Sequence, residues 1–439
     1  MFVEFEPGFL AACAETLRRR GAGEPAASRE TETIASAEQP AEAFLRSLGY
    51  LPADATDADT LRSRLALVAL AGRFDRAFRL PMRHAPGAFF FGGQLSPAGF
   101  GLSSERGRHL GVAGRGLTLQ QAFESCVGEA AERLSFHEWP GDRTPPEGRP
   151  LIRAPRHDDR LLAGAELDWV LREMGLPGDS DPRMLDGIEA ISLADGEPLL
   201  LPAALCLLPA PGRPGVPQPA GSTGCAAGPS VAAATLSALE EVVERDAVAG
   251  WWQGAIPPRA VAPSLLQELG LDALAGSLRD GSPRRHWFLD ITGPLKIPAF
   301  VALSAYPEGR AVVAGYGAGL DLRRALLGAL LELCQAELAQ ELALLKRRQR
   351  GEEALNAVDR RWIEQYEQAT ADSHPRFTPG APPQDHAAGS RSLAATLSCL
   401  TRAGRKAYRV DLSRPPLGLA AVRAVVPGLH TGLPAWTAP

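Results

Sequence analysis

The chain has 439 residues, 45% of them hydrophobic and 22% charged, with a net charge of -5. That length is roughly two to three domains' worth of material and can bury a sizeable core. The acidic balance argues against a general nucleic-acid binder, which would carry a basic patch or stripe. Residues 8–20, GFLAACAETLRRR, read as an amphipathic helix with Phe9, Leu10, Cys13 and Leu17 on one face. The polar stretch 21–42 reads as a loop. Two more helical patterns follow at 41–51 and 57–78, and Asp57 or Asp59 is placed to cap the second. Residues 1–85 thus read as a helical N-terminal region, distinct in composition from 86–439.

From about residue 86 the pattern changes. FFFGGQLSP is strand-like, and GRGLTLQQAFESCVGEAAERLSFHEW is a strong helix with Thr118 and Gln121 at capping-box spacing. ISLADGEPLLLPAALCLL holds two apolar runs around Ala-Asp-Gly-Glu and reads as a β-hairpin. A proline-rich loop, 209–220, leads to the Gly-rich turn GSTGCAAGPS and a further helix. HWFLDITGPLKIPAFVALSAY and AYRVDLSRPPLGLAAVRAVVPGL share a plan: strand, Asp followed by Thr or Ser, a Pro-containing turn, strand. Between them lie one long helix, 320–351, and a polar loop at 371–391. Hairpins mixed with long helices indicate an α+β fold, with helices packed on mainly antiparallel sheet.

The six cysteines, Cys13, Cys126, Cys206, Cys225, Cys334 and Cys399, contain no C-x-x-C pair. A zinc or redox site is therefore poorly supported. They are expected as free, mostly buried thiols of a reducing compartment. The first residues, MFVEFEPGFL, show no secretion signal. No apolar run is long enough to cross a membrane. The expected location is the cytoplasm.

Three helices carry carboxylates at helical spacing. Ser125, Glu129 and Glu132 form one stripe. Glu241, Glu244 and Arg245 form a second, in a helix that runs into Trp251 and Trp252. Glu332 and Gln335 share a face amid Leu326, Leu327, Leu330, Leu331 and Leu333. Any one stripe also fits a solvated face with i, i+4 Glu–Arg pairs. Their recurrence, and the apolar setting of Glu332, favour carboxylates gathered around a cation, since buried carboxylates are seldom unpaired. Hard divalent cations prefer such oxygen ligands. GSTGCAAGPS could offer backbone N–H groups to an anion at the start of a helix. It does not match the G-x-x-x-x-G-K-[ST] phosphate loop.

These segments, in this order, resemble the YcaO family over about residues 86–430. GRGLTLQQAFESCVGEAAERLSFHEW is similar to its first signature. GCAAGPSVAAATLSALEEVVERDAVAGWW is similar to its second, and GYGAGLDLRRALLGALLELCQAEL to its third. The resemblance implies a YcaO-like fold and an enzyme that modifies the backbone of a ribosomally made precursor peptide with ATP and magnesium. The expected chemistry is cyclodehydration of Cys, Ser or Thr to azolines, the precursors of thiazole and oxazole. By position, the resemblance assigns Glu129, Glu132, Glu241, Glu244 and Glu332 to metal binding. It assigns Ser125, Arg245 and Gln335 to the nucleotide. It implies a separate leader-recognition protein, a flavin dehydrogenase and a homodimer as partners, with no nucleic acid and no membrane. Glu240 and Asp246 are expected to lie off the metal-facing side, and Trp251 and Trp252 to pack beyond the helix end.

The sequence departs from the family pattern at four positions. Pro229 stands where Asn is usual, Ala233 where an acidic residue is usual, and Gly328 and Glu337 where arginines are usual. An ATP-independent YcaO enzyme and a non-catalytic scaffold are the alternatives. The Pro-x-Pro-x-Pro tail of azoline-forming members is reduced here to LPAWTAP. His137, Cys225 and the terminal Pro439 are weaker catalytic candidates.

Overall fold

A computed structural model describes residues 3–22, 32–52, 56–102, 109–144, 150–209, 221–372, 374–387 and 389–432. The chain forms two compact units interleaved in sequence. The first comprises Met1–Leu80, Phe89–Ala238 and Ala407–Gly428; the second comprises Pro81–Ala88, Leu239–Lys406 and Leu429–Pro439. This division does not follow a boundary near residue 85.

The first unit contains two sheets. One runs Val3–Glu4, Arg76–Leu80, Phe89–Leu95, Leu110–Gly116 in spatial order, every pair antiparallel. The helix Leu119–Ser135 lies on its last strand, and the helices Phe9–Gly21, Glu32–Ser47 and Ala58–Ala71 complete the layer. Their core joins Leu17, Phe44, Phe91 and Phe123, with the last two rings edge to face at 5.2 Å. The strand-to-helix approach requires glycine: a Cβ at Gly114 would stand 2.0 Å from the Ala122 carbonyl oxygen. The other sheet runs Ile152–Arg153, Gly187–Ser192, Tyr408–Asp411, Ala420–Val425, Cys225–Gly228, with Pro198–Pro202 also paired to Gly187–Ser192.

The second unit is built on one antiparallel sheet, ordered Val313–Ala318, Ala299–Ala305, Arg285–Asp290, Arg259–Ala260. Alternation of side chains sends Phe300 and Ala302 to one face and Val301 and Leu303 to the other. The helix Leu322–Arg350 packs on the first face, again over glycines. A Cβ at Gly315 would meet Ala329 O at 2.4 Å, and one at Gly317 would meet Ala325 O at 2.1 Å. The second face packs on Val248 and Trp251, from the end of the helix Val231–Trp252.

The expected α+β architecture, the two hairpins and the long helix are all present. The hairpins share a local device: Asp290 Oδ1 accepts from Thr292 N at 2.8 Å, and Asp411 Oδ1 from Ser413 N at 2.9 Å. Asp57 caps its helix by accepting from Thr60 N. All six cysteines are free and buried.

Several local expectations are corrected. Much of the polar stretch 21–42 is helix, because Glu32–Ser47 is rich in good helix formers despite Pro40; residues 23–31 lie outside those described. Residues 76–78, expected as the end of a helix, belong to the strand Arg76–Leu80, since pairing with Phe89–Leu95 overrides the helical pattern. The N-terminal region is therefore three helices with two strands. The CAAG segment, read as part of a Gly-rich turn, is strand, and GRG, read together with the helix after it, ends the strand Leu110–Gly116; their glycines allow close helix approach. The proline-rich loop lies largely outside the described residues.

Candidate functional site

Arg245 is the centre of the acidic group in the second unit. Its Nη1 donates to Glu244 Oε1, and its Nη2 to Glu241 Oε1 at 3.5 Å. Burial works against the charge of Arg245, but the carboxylates of Glu244, Glu332 and Glu241, with the Tyr316 phenol, outweigh it. They hold the guanidinium above the usual arginine range. The side chains of Arg245 and Glu244 are only 17% and 14% exposed, so this pairing is shielded from bulk water. Three side chains from the middle of the helix Val231–Trp252 thus form one ion-paired group, and Glu332 of the Leu322–Arg350 helix acts on its arginine electrostatically. Gln335 is half-buried one turn beyond Glu332. Glu332 is itself half-buried, less enclosed than its leucine neighbours suggest.

Neighbouring acidic residues serve other partners. Glu240 accepts from Arg391 through both carboxylate oxygens: Oε2 lies 2.8 Å from Nη2 and 3.0 Å from Nε, and Oε1 lies 3.1 Å from Nε. Asp246 accepts from His430 N at 3.0 Å, and burial raises its pKa. Both lie off the Arg245 group, as helical periodicity indicates. Trp251 and Trp252 are the last two residues of the helix itself, not residues beyond it. Trp251 is fully buried and donates to Arg376 O at 3.1 Å, a packing role.

In the first unit, Ser125, Glu129 and Glu132 share the Leu119–Ser135 helix. Ser125 is exposed and the two glutamates are half-buried. Glu129 accepts from Ala113 N at 2.8 Å and pairs with Arg133 at 2.6 Å. His137 has Nδ1 2.7 Å from Arg133 O, and burial holds its pKa below the usual histidine value. Cys225 sits buried in a strand, 3.3 Å from Arg423 Nη1. That position lies in the strand Cys225–Gly228, not at the start of a helix. Pro439 lies outside the described residues.

The four departures also have places. Pro229 is exposed and Ala233 half-buried at the start of their helix. Open space surrounds Gly328, where a Cβ would meet nothing within 4 Å. Glu337 is buried between two arginines that sequence reading missed. Arg279 donates to both its oxygens, and Arg284 Nε lies 3.2 Å away. Also missed was Asp290, buried and accepting from His386 Nε2 and Gln384 Nε2, each at 2.7 Å. Its Asp-Thr turn was visible in the sequence; its loop partners were not.

Among the described residues, no three His, Cys, Asp or Glu side chains stand grouped as a ready metal site. Glu241, Glu244 and Glu332 supply only carboxylate oxygens, the donor type of a hard divalent cation. Their excess of negative charge around a single arginine suits such a cation. No described helix is long and apolar enough to cross a membrane.

The family profile described as "YcaO cyclodehydratase, ATP-ad Mg2+-binding" matches residues 113–430. No curated protein matches the chain. Among solved structures, a heterocyclase in complex with substrate and cofactor is similar with TM-score 0.64 and 23% identity, over 85% of this chain and 52% of that one. The chain thus spans about half the length of that heterocyclase. YcaO from Methanopyrus kandleri bound with AMPPCP and Mg2+ gives TM-score 0.55 at 19% identity, covering 90% of this chain and 91% of that one. The E. coli microcin synthetase McbBCD complex gives 0.56 at 15%, over 81% and 88%. These structural likenesses concern the fold, whereas the sequence profile covers more than half of the chain and runs through every carboxylate stripe described above. On that match the chain belongs to the YcaO family.

Proposed function

We propose that this chain modifies the backbone of a ribosomally made precursor peptide, forming azolines from Cys, Ser or Thr by ATP- and magnesium-dependent cyclodehydration. The observation that carries this reading is the Glu241–Glu244–Arg245–Glu332 group, in a chain of this family. When bound, magnesium and ATP supply a phosphoryl group that turns the amide oxygen into a good leaving group. The chain's residues bind and orient. Glu241, Glu244 and Glu332 would hold the cation, and Arg245 would pair with the phosphates. Ser125, Gln335, Glu129 and Glu132 keep nucleotide and metal roles on the resemblance alone. A leader-capturing protein, a flavin dehydrogenase and a second copy of the chain are the partners this reading implies.

A second reading, ATP-independent chemistry on the same kind of peptide, is favoured by Gly328 and by Glu337. The latter binds Arg279 and Arg284, so this position offers no cation to a phosphate. Incubating protein, precursor peptide and leader-binding partner with and without Mg-ATP separates the two. Loss of one water per ring, seen by mass spectrometry only with Mg-ATP, supports the first reading. Water loss without nucleotide moves the assignment to the second.

A further inference from the structure

The sheet of the second unit stops one strand short of the layers that cover it. Arg285–Asp290 pairs along its whole length with Ala299–Ala305 on one side. On the other side Arg259–Ala260 covers only Leu289 and Asp290. Ile291 N donates to Ala299 O at 2.9 Å, which fixes the phase of the ladder. In an antiparallel pair the residues bonded to one neighbour alternate with those facing the other. Residues 285, 287 and 289 therefore face Ala299–Ala305, and His286 and Phe288 aim their N–H and C=O groups outward. Outside the short ladder with Arg259–Ala260, no backbone partner for these groups is present among the described residues.

That bare edge opens into a cleft of about 590 Å³. One wall is helical, with Leu266, Leu271 and Ala275; the other is made by Ala371, Asp372, Phe377 and Pro379. The two sides of the strand reach these two walls. Trp287 Nε1 donates to Phe377 O at 2.8 Å, while His286, on the opposite face of the strand, lines the cleft together with Asp272. The space is thus a trough between the two layers that sandwich the sheet, in the plane of the missing strand. The open edge, Arg285 to Phe288, is about 13 Å long at the strand rise. Asp272 and Asp372 outnumber Arg285 among the fixed charges of the trough, which disfavours an acidic occupant.

We propose that this trough docks an extended, neutral-to-basic segment of peptide as an added strand, bonded to His286 and Phe288. Main-chain hydrogen bonds supply affinity and the apolar walls take alternate side chains, as in strand addition generally. That the docked peptide is the precursor rests on the function proposed above; strand addition itself does not.

The test is fluorescence anisotropy with the full-length chain and a capped, fluorescein-labelled hexapeptide of alternating valine and lysine. Two further probes carry N-methyl groups, one on the odd and one on the even amides. The expected result is saturable binding of the parent probe and of one methylated probe, with at least tenfold weaker binding of the other. Val261→Arg, which fills the trough from a loop, weakens the parent probe at least tenfold while the circular dichroism spectrum is kept. No saturable binding at millimolar protein, equal binding of both methylated probes, or full binding by a folded Val261→Arg variant overturns the proposal. Anisotropy needs no turnover, so docking can succeed where cyclodehydration fails, and the reverse.

Discussion

Arg279 and Glu337 form a bidentate ion pair inside the second unit, with Nη1–Oε2 at 2.9 Å and Nη2–Oε1 at 2.8 Å. Both residues are buried, at 5% and 2% exposure, and Ser304 Oγ adds a 2.5 Å bond to the same carboxylate. Glu337→Gln leaves Arg279 and Arg284 buried without a counter-charge. Losing one partner of a buried pair costs about 3–5 kcal/mol. Chemical denaturation should show that loss, and a loss below about 1 kcal/mol would contradict the buried pairing. Glu337→Arg, which installs the residue usual in the family, should fail to fold and should not restore nucleotide affinity.

Gly328 offers the contrasting case. It lies mid-helix with open space at its Cβ position. Gly328→Ala should stabilise the protein by about 0.5–1 kcal/mol through helix preference. Gly328→Arg should fold and tighten Mg-ATP about tenfold, the worth of one charged hydrogen bond. Calorimetric titration giving unchanged affinity would show that position 328 does not face the nucleotide.

The glycine-lined contacts give a stability prediction. Gly315→Ala drives a Cβ into the backbone of the Leu322–Arg350 helix and should cost on the order of 1–3 kcal/mol or more. Gly128→Ala, on a helix with nothing within 4 Å, should be neutral or stabilising. Equal melting temperatures for the two variants would contradict the close packing.

How much of this was readable in the sequence follows from the range of each interaction. Glu241, Glu244 and Arg245 lie within one helical turn, so periodicity alone places them together. The Glu240–Arg391 pair spans 151 residues, and the Arg279–Glu337 pair spans 58. No local pattern announces either. Hairpins were legible because turn residues sit between apolar runs. The CAAG strand was misread because glycine permits both a turn and a close approach, and only the helix above decides which.

A pH dependence follows from His137. Burial depresses its pKa below the usual value near 6.5, with only the Arg133 carbonyl pulling the other way. The unfolded chain then binds more protons, so stability rises with pH across this window. The contribution is complete above pH 6.5 and declines as pH falls toward the depressed folded-state value. His137→Gln should flatten this slope in melts taken from pH 7 downward. An unchanged slope would place the acid sensitivity elsewhere.

The central claim is that the carboxylates around Arg245 serve a magnesium nucleotide. Thermal unfolding of the full-length protein with and without Mg-ATP, beside Glu241→Ala, tests it most directly. A ligand that binds only the folded state stabilises it, by about 2.7 kcal/mol at a hundred times its Kd. The account predicts a clear upward shift in Tm for the native chain and none for Glu241→Ala, whose own Tm without nucleotide stays close to that of the native chain. No shift at millimolar Mg-ATP with peptide and partner present, or an equal shift in the variant, would contradict it and leave ATP-independent chemistry or a scaffold role.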